Sequence, residues 1–136
     1  MRQKILVVDD EPDAREALSF VLNPIAEILE AADGAEALRR IAADRPDLVL
    51  LDIAMPGLGG LDVLVAGLRI SPGTIVVMLT CESDIAVAKK ALDRGARAYI
   101  TKPVDPLRLR GEIQDMLGRN AQLEDTESKT PWRVIG

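Results

Sequence analysis

The chain contains no histidine. Without imidazole it has no Ser-His-Asp triad, no histidine-ligated zinc and no phosphohistidine of its own. A single cysteine, Cys81, excludes an internal disulfide and any multi-cysteine zinc site. Basic residues are outnumbered, 17 lysines and arginines against 22 aspartates and glutamates. The net charge of −5 argues against a protein that coats nucleic acid or an anionic membrane, because both need a basic face. No apolar run approaches the ~20 residues that span a bilayer. The start, Met1-Arg2-Gln3-Lys4, leads straight into a strand-like run rather than a signal sequence. The expected compartment is the cytoplasm, and the chemistry left open must use carboxylates, hydroxyls, lysine or a bound metal.

What is present is a regular alternation. The 136 residues, 48% apolar, are enough for one domain with a substantial core and a tail. Five short runs rich in branched aliphatics, Lys4 to Val8, Ala26 to Glu30, Leu48 to Leu51, Thr74 to Leu79 and Arg97 to Ile100, are each followed by helical periodicity. The third and fourth runs are almost wholly apolar, as expected of parallel strands covered on both faces. Strand, crossover helix and parallel strand then wind right-handed.

Punctuation residues divide the helices. Pro12 suits a first turn, Ala14, Ala17, Leu18 and Val21 are spaced to face a core, and Asn23-Pro24 stops that helix. Asp33-Gly34 precedes a helix over Ala35 to Ala43, and Gly57, Gly59 and Gly60 form a loop before one over Leu61 to Leu68. Ser83 is placed to cap Asp84 to Asp93, which Gly95 ends. Asp105-Pro106 opens a last helix to about Leu117. Residues 1–118 are therefore expected to form one domain and 119–136 a linker or tail. The polar stretch Glu124 to Thr130 reads as linker, and Pro131 to Gly136 as either the start of an output domain or a tail that packs back or stays disordered.

Three acidic residues carry the functional signal. Asp9 and Asp10 end the first apolar run, and Asp52 ends the third. Ligands of open parallel sheets gather at the carboxyl ends of strands, where strand order reverses. With order 2-1-3-4-5, strands one and three are neighbours at that point, and the carboxylates share a crevice with Thr80 and Lys102 from strands four and five. Singly, each has an ordinary reading: an aspartate as a cap or turn, a threonine opening a helix, a lysine in solvent. All five at one rim is a different matter. Crowded carboxylates raise one another's pKa unless a cation intervenes, and an oxygen-only site suits magnesium. A flavin or dinucleotide is disfavoured, since the acidic cluster repels phosphate and no Gly-x-Gly-x-x-Gly follows the first strand. Phosphoryl transfer fits: a carboxylate attacks phosphorus while a cation, a lysine and a hydroxyl stabilise the transferring oxygens.

The chain resembles the receiver domain of two-component response regulators over about residues 3 to 118. The matching pieces are Val7-Val8-Asp9-Asp10-Glu11-Pro12, Asp33-Gly34-Ala35-Glu36-Ala37-Leu38, Asp47-Leu48-Val49-Leu50-Leu51-Asp52 with Met55-Pro56 and Gly60, Leu79-Thr80, and Gly95-Ala96-Arg97-Ala98-Tyr99-Ile100-Thr101-Lys102-Pro103. The resemblance implies an α/β, flavodoxin-like (βα)5 doubly wound sheet of strand order 2-1-3-4-5. It implies phosphorylation of Asp52 by a histidine kinase or phosphotransfer protein, with Mg2+ held by Asp10 and Asp52, by Asp9 through water, and by the carbonyl of Ala54. Thr80 and Lys102 would contact the phosphoryl group, Thr80 and Tyr99 would form the switch, and the face of helix four, strand five and helix five would change. An output domain or a second copy would read that change, with no direct contact to nucleic acid or membrane. Cys81 stands where the family usually has alanine or glycine and is expected to be a buried structural thiol rather than a redox sensor.

Two other functions compete. A magnesium-dependent phosphohydrolase would also use an aspartate nucleophile. Those enzymes tend to place Asp-x-Asp after the first strand, whereas this chain has Asp9-Asp10-Glu11 and too little sequence for a substrate cap. A receiver-like scaffold that binds without phosphorylation would not need the full set of Asp9, Asp10, Asp52, Thr80 and Lys102. The expected protein is a switch, not a metabolic enzyme.

Overall fold

Runs that satisfy two cores at once form the sheet. The computed structural model describes residues 2–122 and 133–135. Its first five strands are β1 (Lys4–Val8), β2 (Glu27–Ala31), β3 (Leu48–Asp52), β4 (Ile75–Thr80) and β5 (Ala98–Thr101). The helices are α1 (Pro12–Leu22), α2 (Gly34–Asp44), α3 (Gly60–Ile70), α4 (Ile85–Asp93) and α5 (Pro106–Gln122). All strand pairs are parallel, and the five strands lie in the expected order, 2-1-3-4-5.

Successive side chains of a strand point to opposite faces. Leu6, Val8, Val49, Leu51, Val76 and Met78 pack with Ala37 and Ile41 of α2, Val63 and Leu64 of α3, and Ala88 and Ala91 of α4. Their neighbours Ile5, Val7, Leu48, Leu50, Val77 and Leu79 pack with Leu22 of α1 and with Leu109, Ile113 and Met116 of α5. That division explains why β3 and β4 carry apolar residues at nearly every position, ending in Asp52 and Thr80. β2, at one edge, is only partly covered and carries Glu27 and Glu30, charges that discourage pairing with another chain.

Local chemistry sets most helix ends. Asp33 caps α2 by accepting from the Glu36 N–H at 2.8 Å, and the Glu36 carboxylate accepts from the Ala32 N–H at 2.8 Å. Gly95 follows α4 with φ +113°, a conformation that side chains with Cβ rarely adopt.

Several local expectations need correction. Ala17 is exposed rather than facing the core, whereas Leu18 and Val21 pack half-buried against it as expected and Leu22 is fully buried. Ser83 does not cap α4: Glu82–Asp84 form a single 3-10 turn, α4 begins at Ile85, and the Ser83 hydroxyl lies 3.0 Å from the Cys81 sulfur. α5 continues to Gln122, about one turn beyond Leu117.

A sixth strand, β6 (Arg133–Ile135), pairs parallel with β5, Ala98 opposite Arg133 and Ile100 opposite Ile135. This part of the tail packs back onto the sheet. The expected linker Glu124 to Thr130, together with Pro131, Trp132 and Gly136, lies outside the described residues.

Leu50, fully buried at the middle of β3, tests the α1/α5 side of the core. Leu50→Ala is expected to cost about 3 kcal/mol, read as a lower urea midpoint with an unchanged slope of the transition.

Candidate functional site

The sheet register brings the acidic residues together. Val8 pairs with Leu51, so Asp9 and Asp52 leave adjacent parallel strands at the same rim. Helices α1 and α3, which follow these two strands, pack on opposite faces of the sheet, which opens the crevice expected where strand order reverses. One carboxylate oxygen each of Asp9, Asp10 and Asp52 lies within 4.8 Å of the others. Asp9 and Asp52 are buried, whereas Asp10 is exposed.

Each carboxylate is held differently. Asp9 Oδ1 accepts from the Glu11 N–H at 2.9 Å, while its Oδ2 is buried without a hydrogen-bond partner. The Asp9 carbonyl accepts from Arg15 Nη1 at 2.7 Å, and its N–H donates to the Ala31 carbonyl at 3.2 Å. Asp52 Oδ1 accepts from the Ala54 N–H at 3.2 Å, and Asp52 Oδ2 lies 3.6 Å from Lys102 Nζ. Asp10, by contrast, projects into solvent.

Electrostatics follow from that crowding. Burial raises the Asp52 pKa from its ordinary value, the N–H of Ala54 and the charge of Lys102 oppose the rise, and Asp9 and Asp10 add to it. A buried carboxylate oxygen with no partner is costly. Asp9 Oδ2, beside two further carboxylates, therefore suits a hard divalent cation taking oxygen ligands and water, as magnesium does. The donor set fits such an ion.

The surrounding loops crowd the site closely. A Cβ on Gly60 would lie 2.8 Å from both the Asp52 carbonyl oxygen and Ile53 Cα, so α3 can start against the back of Asp52 only with glycine there. A Cβ on Gly34 would lie 2.7 Å from the Leu58 carbonyl oxygen, and α2 thereby touches the loop that follows Asp52.

The other expected residues are near but arranged less simply. Thr80 sits one step beyond Leu79, the register partner of Asp52, and is buried. Its hydroxyl donates to the Cys81 carbonyl at 3.0 Å. Lys102 follows Thr101, which pairs with Thr80, and the Lys102 N–H donates to the Thr80 carbonyl at 2.8 Å. Tyr99 is buried among the residues under α2, α3 and α4. Cys81 is exposed, against expectation: it stands at the rim just past β4, with its sulfur donating to Asp84 Oδ2 at 3.3 Å. Arg15 and Glu30 were not anticipated, since only the fold brings the side chain of one against the other.

Comparison with known proteins adds the family. A model described as the response regulator receiver domain matches residues 5–114. The DNA-binding response regulator MtrA of Mycolicibacterium smegmatis is 42% identical over 123 residues, 88% of this chain and 53% of that protein. A probable transcriptional regulator, ycf27 of Cyanophora paradoxa, is 40% identical over 99% of this chain and 57% of its own length. The chain thus spans about half the length of the curated relatives it matches. Among solved structures, a CheY-like receiver domain protein of Methanospirillum hungatei superposes with a TM-score of 0.85 at 29% identity, covering 90% of this chain and 98% of that one. The receiver domain of NtrX from Brucella abortus gives 0.79 at 37% identity, covering 84% and 98%.

Two outcomes follow from this geometry. A carboxylate with a raised folded pKa stabilises the fold fully only below its unfolded pKa, and that contribution is lost as pH rises through the folded value. Asp52→Asn is therefore expected to raise the magnesium-free melting temperature at pH 7, with the gain shrinking as pH falls toward about 4, measured by thermal unfolding across pH. Gly60→Ala is expected to destabilise the fold by about 1–3 kcal/mol and to shift the amide resonances of Asp52 and Ile53.

Proposed function

This chain belongs to the response regulator receiver domain family, and we propose that it works as a phosphorylation-controlled signalling switch with Asp52 as the phosphoacceptor. The observation that carries the reading is the meeting of Asp9, Asp10 and Asp52 within 4.8 Å, beside Lys102 and with Asp9 Oδ2 unpartnered. Mg2+ is the cofactor this set would hold, with Asp10 and Asp52 as direct ligands, Asp9 acting through water and the Ala54 carbonyl completing the protein's share. Bound there, it would neutralise the acidic cluster and the charge of the transferring oxygens.

The chain's own residues would do the following. A carboxylate oxygen of Asp52, the one facing Lys102, attacks the phosphorus of a phosphohistidine on a sensor kinase or phosphotransfer protein. The new P–O bond forms as the P–N bond breaks, and the departing imidazole takes a proton from solvent. Lys102, fixed at the end of β5, supplies positive charge to a phosphoryl oxygen. Thr80 contacts the same group by exchanging its bond to the Cys81 carbonyl for one to phosphoryl oxygen. Hydrolysis of the acyl phosphate resets the switch.

The readout would run through β4 and β5. Thr80 and Tyr99 serve as the switch pair, and an altered Thr80 shifts the equilibrium of the face formed by α4, β5 and α5. An output domain after residue 118, or a second copy of the chain, would recognise that face. The MtrA relatives carry DNA binding in their names, and about half of each lies outside the match. On this reading the receiver itself touches neither nucleic acid nor membrane, and it works in the cytoplasm. Among the described residues, no helix is long and apolar enough to cross a membrane.

Intact mass after incubation with acetyl phosphate tests the reading. One phosphoryl adduct is expected on the native chain with Mg2+, and none without Mg2+ or on Asp52→Asn. An adduct that survives in Asp52→Asn would move the acceptor elsewhere, and failure to bind beryllofluoride as well would leave a module that works without phosphorylation. For the switch, Tyr99→Ala is expected to bind beryllofluoride while losing the amide shifts of α4 and α5. Unchanged shifts would exclude Tyr99 from the pathway.

A further inference from the structure

We propose that Arg15 is the positioning residue of the acidic pair, holding the peptide between Asp9 and Asp10 so that both carboxylates face Asp52 and bind magnesium together. The proposal rests on the magnesium reading of the site. Asp10 is the exposed member, and among the described residues its carboxylate takes no hydrogen bond or ion pair. The backbone therefore aims its Cα–Cβ bond, where the chain has just left β1. The contact on the peptide that precedes it is Arg15 Nη1 to the Asp9 carbonyl, at 2.7 Å.

Beyond the Asp9 carbonyl, the Arg15 side chain has one further partner among the described residues, Glu30. The Arg15 Nε lies 3.1 Å from Glu30 Oε1, at the end of β2. Ser19, one turn along α1, holds its hydroxyl 2.8 Å from the Arg15 carbonyl and 3.0 Å from Glu30 Oε2, and its single proton serves one acceptor at a time. The Arg15 side chain is 18% exposed, so it is mostly shielded from water. A planar guanidinium can direct Nε to one acceptor and Nη1 to another at a fixed angle, whereas an ammonium is a compact point charge. The network therefore ties the Asp9–Asp10 peptide to both α1 and β2, and outer groups that orient metal ligands commonly govern affinity tenfold or more.

Charge and position predict opposite signs here. Arg15→Gln removes a positive charge and leaves Glu30 unpaired, which by charge alone would tighten cation binding. Loss of positioning would weaken it.

Isothermal titration with MgCl2 on the full chain separates the two, with the magnesium-free melting temperature followed in parallel. The native chain is expected to bind, Arg15→Gln to bind about tenfold more weakly, and the charge-balanced Arg15→Gln/Glu30→Gln pair to be weakened similarly. Arg15→Lys, which keeps the charge without the fork, is expected to fall between. If Arg15→Gln does not fold, Arg15→Lys decides: weaker binding by a folded variant supports positioning, and native affinity overturns it. Equal or tighter binding by folded Arg15→Gln also overturns the proposal while leaving the magnesium reading intact. No binding by the native chain removes the magnesium reading and this proposal together.

Discussion

Three carboxylates within 4.8 Å repel one another, and a chain free to move would separate them. They stay together because two of the three are fastened to the sheet. Asp52 ends β3 between β1 and β4, and Asp9 follows β1 with its N–H on the Ala31 carbonyl. The apolar residues just before them are fully buried, so shifting either strand to relieve the repulsion would expose core on both faces of the sheet. Hydrophobic burial thus holds a charge arrangement that is unfavourable by itself. The pKa of Asp52 is raised chiefly by its burial, with smaller upward contributions from Asp9 and Asp10.

The same constraint shapes the surroundings. Gly60 and Gly34 let α3 and α2 approach the loop after Asp52 at distances that a Cβ would prevent. The Asp52 loop is therefore braced by two helix starts, while its Ala54, Pro56, Gly57 and Leu58 remain exposed. On the far side, the Lys102 N–H bonds the Thr80 carbonyl while its ammonium faces Asp52. The ends of β4 and β5 are consequently tied both to each other and to the acidic centre. A charge added at Asp52 would act first on these two strand ends, and β5 leads directly into the loop before α5.

Legibility in the sequence varied with the range of the interaction involved. The β-α alternation was readable because burial on two faces demands continuous apolar runs, and Leu48 to Leu51 and Ile75 to Leu79 are such runs. Helix ends were readable where one residue's own chemistry governs, as at Pro12, Asp33 and Gly95. Ser83 shows the limit of that approach: its capping preference is real, but a 3-10 turn precedes α4 and its hydroxyl lies beside the Cys81 sulfur instead. Cys81 shows another. Thiols are often buried, yet this one stands past the end of β4, beyond the cover of any helix.

The sequence by itself determined the class of fold, the position of Asp9, Asp10, Asp52, Thr80 and Lys102 at strand ends, and the exclusion of histidine chemistry and of an internal disulfide, since residue identity and apolar periodicity settle these. Tertiary structure alone decided which oxygens face one another, that Asp9 Oδ2 is left without a partner, that the Thr80 hydroxyl turns to the Cys81 carbonyl, and that Arg15 reaches both Asp9 and Glu30. It also decided that Arg133–Ile135 lie along β5. These contacts join residues distant in sequence or depend on one rotamer among several, and neither is encoded in a local pattern.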